Sequence, residues 1–67
     1  MASPVKIKDN LVDAWVNIPG SDSETFEIEV PEEIQAQGSE AVDEYIRHVG
    51  ASQMGVDEED IQFTENW

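Results

Sequence analysis

Two stretches of the chain, residues 11–18 and residues 25–30, alternate apolar and polar side chains. A period of two is typical of a strand with one face on a core and the other toward water. Residues 19–24, between them, favour a turn, because their proline presets φ and their glycine permits a positive φ. The two stretches are therefore predicted to form an antiparallel hairpin. Its core-facing positions are Val12, Ala14, Val16, Ile18, Phe26, Ile28 and Val30.

A helical pattern follows the hairpin. Apolar side chains recur at offsets of 0, 3, 4 and 7, which places them in one stripe of a helix. These side chains are Val42, Tyr45, Ile46 and Val49. The pattern predicts a helix over residues 40–49, with Ser39 as its N-cap and Gly50 as the residue that stops it. Before this helix, Pro31 can open a short helical turn with Ile34 as its buried contact.

Residues 61–64 alternate again and predict a short third strand, so the order of elements is strand, strand, helix, strand. Because crossover connections join parallel strands, we expect the third strand to run parallel to the second and to lie beside the first. The predicted fold class is α+β, a small three-stranded, mainly antiparallel sheet with one helix packed on one face. That helix would also cover Ile61 and Phe63. The uncovered face would carry Asp13, Trp15, Asn17, Glu27, Glu29, Gln62 and Thr64.

A chain of 67 residues is expected to form a single small domain. Residues 11–64 would form its core and residues 65–67 a tail. Residues 1–10 are expected to be a loose arm or a short edge strand, since apolar and basic residues alternate there before a break at Asp9 and Asn10. The chain has no cysteine, so no disulfide supports the fold.

The distribution of charge points to a partner. The chain has 16 Asp and Glu against 3 Lys and Arg, a net charge of -13. Residues 1–20 are neutral, and the other 14 acids lie in residues 21–67, where Arg47 is the only Lys or Arg. A net charge of about 2–8 in magnitude is enough to keep a small domain in solution. Because a larger excess opposes compactness through self-repulsion, it favours a surface that attracts a basic partner.

The inventory of reactive side chains argues against an enzyme. The chain has one histidine, no cysteine and no glycine-rich phosphate loop after a strand. That histidine, His48, is expected to be a solvated residue at the C-terminal end of the helix. Carboxylates are abundant, but a core this small has little room for a cleft that holds a catalytic pair. We expect no cofactor and no metal, because the acidic run at residues 57–60 lacks the alternating ligands of a calcium-binding loop.

The same charge argues against two kinds of partner. Nucleic acid and an anionic membrane surface would both repel the chain. The longest apolar run is too short to span a bilayer, and the first residues lack the pattern of a signal peptide. The expectation is a cytoplasmic protein that acts on other proteins, as a monomer or a homodimer.

Acids at regular spacing are the candidate binding residues. Glu27 and Glu29 share a strand face, about 6.6 Å apart along the strand. DNA presents one phosphate per about 3.4 Å of axis on each strand, so carboxylates at such spacings can occupy a groove built for phosphates. Trp15 is either an exposed apolar anchor or is covered by the N-terminal arm or the tail. The predicted partner-binding residues are Trp15, Glu27, Glu29, Glu40, Asp43, Glu44, Asp57, Glu58, Glu59 and Asp60.

In its size, its acidity and the order of elements across residues 11–64, the chain resembles small bacteriophage-encoded inhibitors. These are DNA-mimic proteins and host-takeover factors that block restriction enzymes, CRISPR effectors, uracil-DNA glycosylase or RNA polymerase. The resemblance implies a phage gene, a target in the host cytoplasm, and 1:1 or dimeric inhibition. The predicted function is non-enzymatic: the protein would inhibit or modulate a host protein by occupying its basic, nucleic-acid-binding surface.

Two alternatives stay open. One is a small acidic structural or assembly protein that self-associates through an open edge of the sheet. The other is a regulator of RNA polymerase or of another host machine that binds without imitating DNA. Competition with DNA for the same target separates this second alternative from mimicry.

Overall fold

A computed structural model describes residues 3–65 and 67 of the chain. The structure has the predicted α+β architecture, in which one long helix packs on one face of a three-stranded antiparallel sheet. Two short 3₁₀ turns, Lys8–Asn10 and Glu58–Asp60, precede the first and last strands. The strands and helices in chain order are β1 (Leu11–Val16), β2 (Glu24–Glu29), α1 (Glu32–Gln35), α2 (Ser39–Met54) and β3 (Ile61–Phe63).

The strands lie in the order β2-β1-β3, and β1 is antiparallel to both of its neighbours. β2 and β3 therefore run in the same direction, as expected for two strands joined through a crossover helix. The register pairs Val12 with Ile28 and Val16 with Ile61, so alternate residues of β1 meet apolar residues on both sides. The predicted strand order is confirmed.

The core lies between the sheet and α2. Val42 and Ile46 of the helix are 0% exposed, as are Val12 and Ile61 of the sheet. Burying an aliphatic side chain of this size stabilises a fold by about 1.5–3 kcal/mol relative to leaving it in water. Among residues 3–65 and 67, the buried hydrophobic residues are Ile7, Val12, Ala14, Val16, Ile28, Val30, Val42, Ile46, Ala51 and Ile61.

The first strand ends earlier than its pattern predicts. β1 stops at Val16, which forms the last pair of the hairpin with Glu24. The chain then turns, and the Ser21 N–H donates to the Ile18 carbonyl at 3.0 Å. Ile18 is 39% exposed instead of lying on the covered face, so that prediction is wrong. Alternation could not locate the end, because it continues through Asn17 and Ile18 after the pairing has stopped.

The start of α2 differs from the predicted capping. The helix begins at Ser39, whose side chain makes no capping hydrogen bond. Gly38 occupies the capping position with a φ of 106°, and its carbonyl accepts the Val42 N–H at 3.2 Å. Because a positive φ strongly favours a residue without a Cβ, Gly38 is the residue that lets the chain turn from α1 into α2.

The end of α2 corrects the role predicted for Gly50. The helix continues through Gly50 to Met54. It ends at Gly55, which has a φ of 70° and donates its N–H to the Ala51 carbonyl at 2.8 Å. Gly50 is buried inside the helix, where a Cβ would approach Ile61 Cγ2 to 3.1 Å. Gly50 therefore permits close packing of the helix on the sheet and does not stop the helix.

The N-terminal arm, residues 3–10, contains no strand and is tied to the core. Ile7 is 3% exposed and belongs to the core, and the Val5 N–H donates to the Gln35 carbonyl at 2.9 Å. The arm ends in a 3₁₀ turn in which Asp9 and Asn10 have positive φ angles of 56° and 60°. This arrangement corrects the expectation of a loose arm or a short edge strand. Residues 1 and 2 lie outside the described residues.

A buried glutamine holds the arm in place. The Gln35 side chain accepts the Ile7 N–H at Oε1, at 2.9 Å, and donates from Nε2 to Asn10 Oδ1 and the Val30 carbonyl. Gln35 is 5% exposed, so these bonds satisfy polar atoms that water cannot reach. The sequence pointed to Ile34 as the buried contact of α1, but Ile34 is only half-buried.

Candidate partner-binding surfaces

The sheet separates the predicted binding residues into two surfaces on opposite sides of the molecule. Odd-numbered residues of β1 and their cross-strand partners point away from α2 and form the open sheet face. The open sheet face consists of Leu11, Asp13, Trp15, Thr25, Glu27, Glu29 and Gln62. The helix-side acidic surface consists of Glu40, Asp43, Glu44, Asp57, Glu58, Glu59 and Asp60. The predicted Asn17 and Thr64 are exposed just past the ends of β1 and β3.

Acidic side chains lie directly opposite one another on the open sheet face. The register places Asp13 opposite Glu27 and Leu11 opposite Glu29. All four are exposed, and Leu11 keeps 38% of its surface accessible. Directly opposite residues have Cβ atoms about 4.5–5.5 Å apart, and like charges in such a pair destabilise the sheet. The hairpin therefore holds two carboxylates side by side at an energetic cost.

Trp15 lies at the middle of the open sheet face. It is on the central strand, opposite Thr25 of β2 on one side and Gln62 of β3 on the other. Its side chain is half-buried, while these two neighbours are exposed. The indole is thus surrounded by polar groups and keeps part of its surface accessible.

The arm and the tail pack on the other side of the sheet. Val5 and Trp67 pack against the buried core cluster, to which Ile7 belongs, and Trp67 stacks on Phe63 with ring centroids 6.2 Å apart. Trp15 is not among the side chains that pack on that cluster, within residues 3–65 and 67. The arm and Trp67 therefore do not cover Trp15, and that alternative is wrong.

The helix-side acidic surface runs along α2 and onto the turn that follows it. Glu40, Glu44 and His48 recur every four residues on the exposed side of the helix. The His48 Nδ1 lies 4.0 Å from Glu58 Oε2. This approach shows that the exposed side of the helix lies next to the turn at residues 57–60.

Arg47 lies within this region, where it pairs with Asp43 and offsets that one carboxylate. Its Nε donates to Asp43 Oδ1 at 2.7 Å, and its Nη1 donates to the Ile61 carbonyl at 3.0 Å and the Glu58 carbonyl at 3.4 Å. The guanidinium also lies 5.4 Å from the centre of the Phe63 ring. Arg47 thus fastens α2 to the acidic turn and to β3.

The sequence could show only part of this role. Asp43 and Arg47 are four residues apart on a helix, and this spacing predicts their ion pair. The carbonyls of Glu58 and Ile61 come from a distant segment, and no local pattern signals them. The predicted helix end at residue 49 would place Arg47 and His48 in the last turn, but α2 continues to Met54, so neither lies at its C-terminus. The contacts of Arg47 are instead with the acidic turn and the last strand.

Two other features, a metal site and a membrane-spanning helix, are absent from the part of the chain that the structure describes. No three His, Cys, Asp or Glu side chains come together there in a way that could hold a metal ion. None of the helices described combines the length and the apolar character needed to cross a membrane.

Comparisons with protein families, curated proteins and solved structures found no match for this chain. The fold places it in the class of small α+β proteins with one helix on a three-stranded antiparallel sheet. Its two acidic surfaces must therefore be interpreted from their own geometry and charge.

Proposed function

We propose that this protein is a non-enzymatic binding protein that occupies the basic, nucleic-acid-binding surface of another protein. One observation carries the proposal. The only Lys or Arg among residues 21–67 is Arg47, and its guanidinium is bound to Asp43 and to two backbone carbonyls. The other 13 acids of that segment have no Lys or Arg of their own segment to offset them.

The spacing of the acids supports a match to phosphates. Glu40 and Glu44 are one helical turn apart, about 6 Å along the axis. Glu27 and Glu29 are a strand dipeptide apart, about 6.6 Å. Both distances correspond to roughly two phosphate steps of about 3.4 Å along one strand of DNA. A protein surface that holds phosphates at this spacing can hold these carboxylates.

The size of the charge supports the same function. A net charge of -13 exceeds the roughly 2–8 that keeps a small domain in solution. Self-repulsion at this level opposes the compact state, and folding alone gives no reason for it. A cationic partner would offset the repulsion in the complex, which couples partner binding to stability.

The test begins with affinity capture on immobilised protein, followed by mass spectrometry to identify a target. The purified target is then titrated with the protein in the presence of increasing duplex DNA. Mimicry predicts that DNA displaces the protein competitively and that affinity falls steeply between about 50 and 200 mM salt. A complex that DNA does not displace contradicts mimicry and favours a regulator that binds elsewhere on its target.

Self-association is the second candidate, because the outer edge of β2 has no neighbouring strand in the described part of the chain. β2 has six residues, long enough to pair with a second copy. Such a pairing would bring the Glu24, Glu27 and Glu29 side chains of the two copies close together, so a dimer of this kind should form more readily as salt is added. Sedimentation at low and high salt tests this: a salt-promoted dimer without a partner favours an assembly role.

A further inference from the structure

We propose that the open sheet face is the surface that contacts the cationic partner, and that it takes an arginine side chain of that partner on Trp15, beside Asp13 and Glu27. The inference rests on the proposed function, because it assumes a basic partner. It goes further in choosing one of the two acidic surfaces and one kind of side chain.

The open sheet face has an apolar centre within an acidic rim. Trp15 is half-buried at the middle of the central strand, and Leu11, 38% exposed, lies on the same face. Asp13, Glu27 and Glu29 surround them and are exposed. Aromatic anchors within polar rims carry much of the binding energy of protein interfaces. Beside the helix-side acidic surface, Tyr45 and Trp67 are also half-buried, but both pack on the core cluster, which Trp15 does not.

Charge complementarity selects arginine as the occupant. Asp13 and Glu27 lie directly opposite each other and repel in the free protein. A guanidinium placed between them relieves that repulsion, and its planar fork can bond to both carboxylates. The same planar group stacks on an indole face, which a compact ammonium group does less well. Arginine therefore fits the indole and the carboxylate pair together.

The same geometry disfavours a second copy of this chain as the occupant. Two open sheet faces packed together would bring Asp13, Glu27 and Glu29 of one copy against those of the other. The face spans only about 17 Å along the strands and about 10 Å across them. Stable interfaces bury about 800 Å² on each partner, so the face alone could not outweigh this repulsion. A cationic partner has no such penalty.

The experiment uses a defined probe, the peptide Arg-Gly-Arg-Gly-Arg, and its Lys-Gly-Lys-Gly-Lys counterpart. Each is titrated into ¹⁵N-labelled full-length protein at low salt, and chemical-shift changes are followed by NMR. We expect the arginine peptide to shift the Trp15 indole N–H and the amides of β1 and β2 first. We expect the lysine peptide to bind about 2–5-fold more weakly, as loss of a surface cation–π contact predicts.

Two variants of equal charge provide the matched control. Asp13→Asn with Glu27→Gln, and Glu40→Gln with Glu44→Gln, each remove two negative charges, one pair from each surface. We expect the first pair to weaken binding of the arginine peptide about 10-fold and the second about 2-fold, since each local charge-assisted bond is worth more than distant attraction. Trp15→Ala should weaken it about 2–5-fold. Far-UV circular dichroism confirms that each variant is folded.

Several results would overturn the inference. These are equal losses from the two double variants, shifts centred on α2 and residues 57–60, no preference for arginine over lysine, or no shift of Trp15 at millimolar peptide. Each leaves the proposed function standing if DNA still competes for a captured target. The converse pair of results is that the peptide shifts map to the open sheet face while DNA does not displace the protein from its target. That pair of results would support this surface as the binding site and contradict mimicry.

Discussion

The two faces of the sheet are built from the same three strands and differ in almost everything else. On the covered face, Val12, Val16 and Ile61 are at most 2% exposed and pack beneath α2. On the open sheet face, Asp13 and Glu27 are exposed and lie opposite each other. One strand can serve both environments because successive side chains point to opposite faces.

This difference shows which face of the sheet stabilises the fold. The covered face supplies the apolar burial that offsets the chain entropy of folding. The open sheet face adds little apolar burial and includes a like-charge pair that lowers stability. Residues of the covered face are therefore constrained by packing, whereas those of the open sheet face are not. The comparison can be tested by substituting one face at a time.

The largest effect is expected for Ile46→Ala. Ile46 is 0% exposed, so the change leaves a cavity and should lower the free energy of unfolding by about 2–5 kcal/mol. Domains of this size have only about 3–5 kcal/mol to lose, so the variant should be largely unfolded at 25 °C. Circular dichroism in a urea series measures this. Trp15→Ala is the control and should cost about 1 kcal/mol. If Trp15→Ala unfolds the protein equally, the open sheet face belongs to the core.

The next effect concerns the buried amide that joins the arm to the core. Gln35→Ala removes the acceptor of the Ile7 N–H and should lower the free energy of unfolding by about 1–3 kcal/mol, because a buried donor is left unsatisfied. Hydrogen exchange of the Ile7 amide should accelerate at the same time. Gln37→Ala is the matched control, since Gln37 is exposed. Equal stability of the two variants would show that the arm is not held by Gln35.

A smaller effect is expected for Arg47→Lys. Lysine keeps the positive charge but cannot bond to Asp43 and the Ile61 carbonyl with one planar group. Because Arg47 is partly exposed, the loss in unfolding free energy should be about 1 kcal/mol. Thermal unfolding at low and high salt measures it. A variant as stable as the parent would indicate that only the charge of Arg47 matters.

The smallest effect should have the opposite sign. Asp13→Lys replaces the repulsion from Glu27 with attraction and should raise the free energy of unfolding by up to about 1 kcal/mol. Asp22→Lys changes the net charge equally but lies in the hairpin loop, so it controls for overall charge. The difference between the two variants should shrink in high salt. Stabilisation by both to the same extent would mean that the cross-strand pair has no special cost.

Much of the fold followed from local patterns. Alternation in residues 11–16 and 25–30 predicted which side chains face the core, and helical spacing predicted the buried Val42 and Ile46. The strand order followed from the crossover rule and is confirmed. These predictions succeeded because side-chain direction in a strand or helix is set by the backbone geometry of that element alone.

Other features could not be predicted, because they depend on segments that are distant in sequence. A glycine that stops a helix and one that permits close packing look alike locally, so Gly50 was given the role of Gly55. The bonds of Gln35 reach residues 25 and 28 positions away. The candidate acids were predicted individually, but their division between two sides of the sheet needed the register and the position of α2.

The sequence by itself determined the order and type of the elements, the apolar stripes that face the core, and the net charge of -13. These are local or additive properties, and no folding is needed to evaluate them. Only the tertiary structure decided that Arg47 bonds to the last strand, that Gly50 lies on the sheet-facing side of α2, and that Trp15 and the carboxylates around it form an uncovered face. Each of these depends on which distant groups come within a few ångströms, and packing alone sets those distances.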